Sequence, residues 1–482
     1  MMCLDKYETI IGLEVHAQLL TKTKAYSADE NIYGATANTK TSVISLGHPG
    51  TLPRSNSKVI EYAIKLGIAI GAKIREKNEY ARKNYFYADL PKGYQITQDT
   101  TPICNGGSIC IKDKDGNKKH INVTRIHMEE DAGKSIHDLD PFHTLIDLNR
   151  AGVPLLEIVS EPEIKSSDEA HKYINEVRKL VKYLDICNGN MEEGSLRCDA
   201  NVSVMLKGAG KFGTKVEIKN MNSSRNVKRA IEYEIKRQIE ILEKGGHIIH
   251  ETRSYNAANN TTISMRHKEE ANDYRYFPEP DLQPLFITKE YITSIKKTLP
   301  ALPNELFIKF TKEFGLSEYD ANIITDEKGI ALYYNKVCEF IENYKSAANF
   351  VNGSVKSYLN EQAIDIKEFP ISPKQLASLI TIVEKGKVSN SIATAKIFYK
   401  MLNTNDLAEK IAKDNNWIQE SNSDVLSDYI QHAIAKYPEK AAEYKNGKKG
   451  LIGLFMGEIM KLSKGQADPK LANKLLRTEL EK

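Results

Sequence analysis

Two kinds of hydrophobic pattern divide the chain. Up to about Leu285, short runs alternate or are rich in β-branched residues, as in Thr9-Ile10-Ile11-Gly12-Leu13-Glu14-Val15-His16 and Asn201-Val202-Ser203-Val204-Met205, and such runs predict strands. Three segments with helical period interrupt them. The first follows Ser55-Asn56 and carries Val59, Ile60, Ala63, Ile64 and Gly67. The second opens with the capping-box pattern Ser166-x-x-Glu169 and continues through Ala170, Ile174, Val177 and Val181. The third carries Val227, Ala230, Ile231, Ile235 and Ile241 and stops at Gly245-Gly246. After Pro284 the helical period takes over almost completely, with Pro300 and Pro303 marking a connector. The pattern predicts an α+β domain over 1–285, a helical domain over 286–405 and a helical tail over 406–482.

Composition adds little to this picture and excludes some classes. A chain of 482 residues with 41% hydrophobic and 27% charged residues can bury several cores. A net charge of +4 permits an RNA partner without requiring one. The six cysteines, at 3, 104, 110, 187, 198 and 338, form no CxxC pair. A zinc site is therefore not expected, and a reduced, cytoplasmic chain is. Asp5, Lys6 and Glu8 near the start are unlike a signal peptide, and no apolar run is long enough to span a membrane.

The candidate chemistry lies in carboxylates set into strand-like sequence. Glu14 and His16 are two apart, so a strand puts both on one face, either as half of a metal site or as a hydrogen-bonded pair. His127-Met128-Glu129-Glu130-Asp131 places three acids side by side, which demands either a solvated turn or cations. Glu157 interrupts the apolar run Leu155-Leu156-Glu157-Ile158-Val159, where an unpartnered carboxylate is costly. Asp199 and Glu217 repeat the theme in two further strand-like segments, and Arg150, Arg197, Lys215 and Lys219 alternate with the acids. Many oxygens and one imidazole suit Mg²⁺ or Mn²⁺, and with cations beside them suit phosphoryl transfer. No GxxxxGK[ST] loop, HExxH or GxSxG is present, so ATP, if used, is not held by a P-loop.

Several longer motifs follow one another in order: Ile11-Gly12-Leu13-Glu14-Val15-His16, His48-Pro49-Gly50-Thr51-Leu52-Pro53, Arg82-Lys83-Asn84-Tyr85-Phe86-Tyr87, Asp89-Leu90-Pro91-Lys92-Gly93-Tyr94-Gln95-Ile96, His127 to Lys134, Leu155 to Pro162, Glu192 to Arg197 and Asp273 to Asp281. With Gly447 to Met460-Lys461 near the end, they make the whole chain resemble the B-subunit family of the aspartyl/glutamyl-tRNA amidotransferases. The resemblance implies a glutamine-synthetase-like cradle domain with an antiparallel sheet, then two all-α domains. It implies an enzyme that uses ATP and Mg²⁺ to phosphorylate the side-chain carboxylate of Glu-tRNA(Gln) or Asp-tRNA(Asn). Ammonia then displaces the phosphate. The partners implied are an amidase (the A subunit), which releases the ammonia from glutamine, and the small C subunit.

By the same resemblance, Glu14, His16, Glu129, Glu157, Asp199 and Glu217 are expected to hold the metal and carry the chemistry. Arg150, Arg197 and Lys219 are expected near the nucleotide phosphates, and Lys83, Lys92 and Glu129 on the ammonia path. Lys83 and Lys92 alone also fit a surface loop with long solvated side chains. Lys448, Lys449, Lys461 and Lys464 are expected to meet tRNA phosphates, although a charge run alone fits a solvated helix face. Relatives often carry cysteines near Lys24 to Asp29; none stands there in this chain, and zinc is not expected in that segment. A non-catalytic tRNA-binding scaffold and a metal-dependent phosphoesterase are the competing readings.

Overall fold

The structure is a computed structural model that describes residues 4–267, 274–418, 423–463, 465 and 467–481. Asp273 and Lys464, both singled out above, lie outside the described residues. The chain divides into two compact units, Met1–Pro303 and Asn304–Lys482.

The first unit is built on a ten-stranded sheet. Its labelled elements run β1 (Tyr7–Gln18), α1 (Ser57–Ala69), β2 (Ala81–Asn84), β3 (Tyr94–Thr97), β4 (Lys118–Glu130), β5 (Pro154–Ser160), α2 (Ser167–Tyr183), β6 (Leu196–Leu206), β7 (Val216–Lys219), α3 (Ser224–Glu243), β8 (Glu251–Asn256), β9 (Thr261–His267) and α4 (Lys289–Lys297). The main sheet has the order β9-β8-β7-β6-β1-β5-β4, continued by the short strands Cys104–Asn105 and Lys73–Ile74, with the tenth strand, Ser108–Lys112, also paired to β4. β2 and β3 belong to a separate three-stranded sheet. The sheet is not wholly antiparallel: β7 and β8 pair in parallel. A parallel neighbour needs a crossover, and α3 supplies it.

The helix signals in the sequence have physical counterparts. Asn56 caps α1 by accepting from Lys58 N, and Ser166 caps α2 by accepting from Glu169 N. The capping box of α2 is only half formed, because Glu169 accepts instead from Lys165 N and from the Lys119 ammonium. Ser223 caps α3, and Gly245, with φ of +75°, follows its end, a conformation that suits glycine.

Alternation along β1 divides the sheet into an apolar and a polar face. Ile11, Leu13, Val15 and Ala17 are buried in the main core, together with Ala63 and Ile64 of α1, Ile174 and Val177 of α2, and Ala230 and Ile231 of α3. Burying each large aliphatic side chain contributes roughly 1.5–3 kcal/mol. Fixing the odd positions in the core leaves Glu14, His16 and Gln18 on the opposite face. The same core takes in Ile295 of α4, with Leu299 and Leu302 packed against it, and this packing carries the unit as far as Pro303.

The second unit is helical throughout its described elements. Its last part has a core of its own, in which Leu426, Ile430, Tyr444, Phe455, Ile459, Leu476 and Leu480 are buried together. No helix among the described residues is long and apolar enough to cross a membrane.

Candidate active site

On the polar face of the sheet, register brings together residues far apart in sequence. Glu14 stands opposite Asp199 on β6, and Asn201 stands opposite Glu217 on β7. In the other direction His16 stands opposite Glu157 on β5, and Glu157 opposite His127 on β4. Two groups of ligand-type side chains result: Glu14, Asp199 and Glu217 form one, and His16, Glu129 and Glu157 the other. Within each group the ligand atoms lie within 4.8 Å of one another.

Each group is oriented by neighbours. In the first, Asn201 Nδ2 donates to Glu14 Oε1 at 2.8 Å and Thr252 Oγ1 donates to Glu217 Oε2 at 2.8 Å. Lys219 Nζ pairs with both Asp199 Oδ2 and Glu217 Oε1. In the second, Glu157 Oε2 lies 3.4 Å from His16 Nε2 and 3.1 Å from His127 Nε2. Glu129 faces His16 at 3.9 Å and Lys83 Nζ at 3.4 Å.

The two groups differ electrostatically. Burial raises the Glu14 carboxyl above its ordinary value, and the negative charges of Glu157, Asp199 and Glu217 raise it further against the opposing Lys219. Burial also pushes Glu157 upward, but His127 and His16 outweigh it and hold the carboxyl well below its ordinary range. For His16, burial pulls the imidazole down, while Glu157 and Glu129 together raise it above its usual value. Glu14 thus stands in a pocket of excess negative charge, the condition a bound cation relieves.

The three adjacent acids do not form a solvated turn. Glu129, Glu130 and Asp131 are only 3%, 2% and 4% exposed, and each has its own cationic partner. Glu129 pairs with Lys83, Glu130 with Lys92, and Asp131 with Arg197 at 2.9 Å. Strand alternation turns Glu129 and Glu130 to opposite sides, so these two neighbouring charges do not crowd one another.

Comparison with known families and proteins points one way. The GatB/GatE catalytic domain matches residues 9–293 and the GatB domain matches residues 332–480. The B subunit of the aspartyl/glutamyl-tRNA(Asn/Gln) amidotransferase of Bdellovibrio bacteriovorus is 48% identical over 475 residues, covering 98% of this chain and 99% of the relative. Proteins of the same description from Thermodesulfovibrio yellowstonii and Alkalilimnicola ehrlichii are each 46% identical, over 98% and 99% of this chain and 98% and 100% of their own lengths. The chain belongs to the amidotransferase B-subunit family.

The remaining expected positions fall into distinct settings within this family framework. Arg197 is opposite His16 and donates to Asp131, while its buried Nε has no hydrogen-bond partner among the described residues. Arg150 commits its guanidinium to the carbonyls of Ala132 and Gly133, at 3.0 and 2.6 Å, and lies 3.5 Å from Asp131. Lys83 is on β2, and its ammonium lies over the Tyr274 ring. Lys92 does not join Lys83 on Glu129. It meets Glu130 and lines a pocket of about 100 Å³ with Tyr26, Ser45, His48 and Gly152.

In the second unit, Lys448 pairs with Glu443 at 3.0 Å, and Lys449 reaches Glu481 at 3.5 Å while lying over the Tyr444 ring. Lys461 is exposed in the last turn of the helix Ile452–Leu462. His127, Asn201, Thr252 and Asp131 also join the site, without an individual expectation from the sequence. His127 carried a usable signal, since it precedes Glu129 by two positions on one strand, the spacing that marked Glu14 and His16. Asn201 and Thr252 become visible only through strand register.

Proposed function

We propose that this chain acts as the synthetic subunit of a tRNA-dependent amidotransferase and converts the side-chain carboxylate of Glu-tRNA(Gln), Asp-tRNA(Asn) or both into the amide. The observation that carries the reading is the meeting of five carboxylates and His16 as two adjacent groups on one sheet face. A passive tRNA scaffold has no use for such concentrated charge, which costs stability unless it serves binding or chemistry. The family's relatives, described as B subunits of aspartyl/glutamyl-tRNA(Asn/Gln) amidotransferases, support the substrate class.

A carboxylate does not exchange oxygen for ammonia directly, because the oxygen is a poor leaving group. Transfer of the terminal phosphoryl group of ATP to the substrate carboxylate oxygen gives an acyl phosphate and ADP. Ammonia then forms the C–N bond at the carbonyl carbon, the C–O bond to phosphate breaks, phosphate leaves with the electron pair, and the proton shed by the nitrogen ends on the released phosphate.

The donor set fits Mg²⁺: hard oxygens predominate, one imidazole joins them, and Asp199 and Glu217 crowd Glu14 with like charge. Glu14, Asp199 and Glu217 would hold one ion, and His16, Glu129 and Glu157 another. Bound Mg²⁺ supplies charge neutralisation for the approach of phosphate to carboxylate. Arg197 and Lys219 add fixed positive charge on the same face, and Arg150 steadies the loop behind Asp131. Lys83 and Glu129 form a paired polar edge beside His16 that suits an ammonia path, and Lys92 with Glu130 forms a second such pair.

In this reading the first unit's fold is the cradle related to glutamine synthetase. The ammonia comes from a glutaminase partner, the A subunit, in a complex completed by the small C subunit. The tail lysines Lys448, Lys449 and Lys461 contact tRNA phosphates, and the assembly works in the cytoplasm. The test is a crystal of the complex soaked with ATP and Mn²⁺ and measured at the manganese edge. Anomalous peaks within coordination distance of both acid groups are the expected result. Ordered nucleotide with no metal at either group would leave the scaffold reading in place.

A further inference from the structure

We infer that His127 is a positioning residue that fixes the Glu157 carboxylate for cation binding by donating a hydrogen bond from Nε2. The inference rests on the proposed reading of His16, Glu129 and Glu157 as a metal-binding group.

His16, Glu157 and His127 form one row across three adjacent strands, each directly opposite the next. Both imidazoles address the same oxygen, Glu157 Oε2, and His127 is the nearer, at 3.1 Å against 3.4 Å. The two rings are not equivalent. His16 is part of the cluster of ligand atoms, whereas His127 stands outside it and is only 4% exposed. His127 also has a buried Nδ1 without a hydrogen-bond partner among the described residues. That orphan atom selects the tautomer. A proton on Nδ1 would be a buried donor with no acceptor, and would leave Nε2 as a lone pair facing carboxylate oxygen, which repels it. A proton on Nε2 makes the contact attractive in the neutral and in the charged ring, and in the neutral ring it leaves only an unfilled acceptor at Nδ1.

The geometry therefore assigns His127 the role of a hydrogen-bond donor to one oxygen of the carboxylate. Held at Oε2, the carboxylate loses its rotation about the terminal torsion, so its remaining lone pairs keep one direction towards His16 and Glu129. A carboxylate oriented in advance binds a cation without first ordering its side chain. Asn201 on Glu14 and Thr252 on Glu217 are uncharged donors of the same kind in the other group.

The test uses the full-length chain titrated with Mn²⁺ alone, with the free ion followed by electron paramagnetic resonance. Two polar replacements differ in reach: the amide nitrogen in His127→Gln falls near the ring's Nε2 position, and that in His127→Asn near Nδ1. His127→Asn should weaken one class of Mn²⁺ site by about 10–100-fold, His127→Gln should restore most of that affinity, and His127→Asn should add no further loss in a Glu157→Ala background. Equal Mn²⁺ affinity in the Asn and Gln variants, whether both unchanged or both weakened, would overturn the inference. If Glu157→Ala lowers affinity in that same series, the metal reading itself survives. If Glu157→Ala leaves Mn²⁺ binding unchanged, the metal reading fails and takes the role of His127 with it.

Discussion

Glu14 and His16 project from the same face of one strand, two residues apart, yet they belong to different acid groups. Glu14 leans towards β6 and β7, where Asp199 and Glu217 stand, and His16 towards β5 and β4, where Glu157 and Glu129 stand. A single strand thus joins two candidate cation sites and sets their spacing by the pleat, a rigid ruler that loops cannot provide.

If both groups serve the same phosphoryl transfer, loss of either should stop it. Glu157→Ala and Glu217→Ala are each expected to reduce ATP-dependent amidation of mischarged tRNA on the order of 10³-fold, equivalent to several kcal/mol of barrier. Glutamine hydrolysis by the glutaminase partner should remain measurable. ADP formation dependent on mischarged tRNA, assayed beside glutamate release, checks this; undiminished amidation in either variant would refute the assignment.

The alternating patterns on β1, β5 and β6 were legible because each strand has one face in the core, so period two told which residues shared the other face. Glu157 stood out because an acid in an apolar run needs a partner. The division of six residues into two groups was not legible, because strand order and register are set by packing between distant segments. The parallel pairing of β7 with β8 likewise depends on how α3 lies on the sheet. The acidic run at 129–131 read ambiguously since the cations that neutralise it, Lys83, Lys92 and Arg197, come from three other segments.

The opposite electrostatic settings of Glu14 and Glu157 give opposite stability effects. Glu14 is raised, so its stabilising contribution is present below 4.5 and is lost as pH rises through its folded value. Glu157 is lowered, so its contribution is present above 4.5 and is lost as pH falls through its folded value. With chelator at pH 7, Glu14→Gln should raise the melting temperature and Glu157→Gln should lower it. Calorimetry with and without Mn²⁺ checks the signs, and the same sign for both variants would contradict the charge distribution described.

Lys24 offers a separate pH signature away from the acid groups. It is fully buried, its ammonium lies 3.5 Å from the Leu148 carbonyl and 4.0 Å from Asp29, and burial pulls its pKa down from 10.5 to about 8 despite Asp29 and Glu130. Below pH 8 both folded and unfolded chains carry the charge, and the folded state bears the full cost. Between pH 8 and 10.5 the folded state sheds the proton first and the cost fades. Lys24→Met should therefore stabilise the chain at pH 7, by at most roughly 3 kcal/mol, with the advantage shrinking towards pH 10.5. Urea titrations at pH 7, 9 and 10.5 measure the difference; a gain independent of pH would mean that packing, not charge, controls this position.

The tail lysines make a prediction that depends on salt. Lys448 and Lys449 are paired with the half-buried Glu443 and the exposed Glu481, so meeting tRNA requires exchanging these carboxylate partners for phosphate. Exposed pairs are weak, roughly 0–1 kcal/mol each, and a dense phosphate backbone competes well against them. Replacing Lys448, Lys449 and Lys461 by alanine should weaken tRNA binding and lower the slope of log affinity against log salt by about 1 for each lysine that touches phosphate. Glutamine hydrolysis should be unaffected. Filter binding of tRNA by the assembled complex from 50 to 200 mM salt (roughly the range over which phosphate contacts dominate) resolves the slope. An unchanged slope would show that these lysines keep their glutamate partners in the complex and that tRNA is held elsewhere.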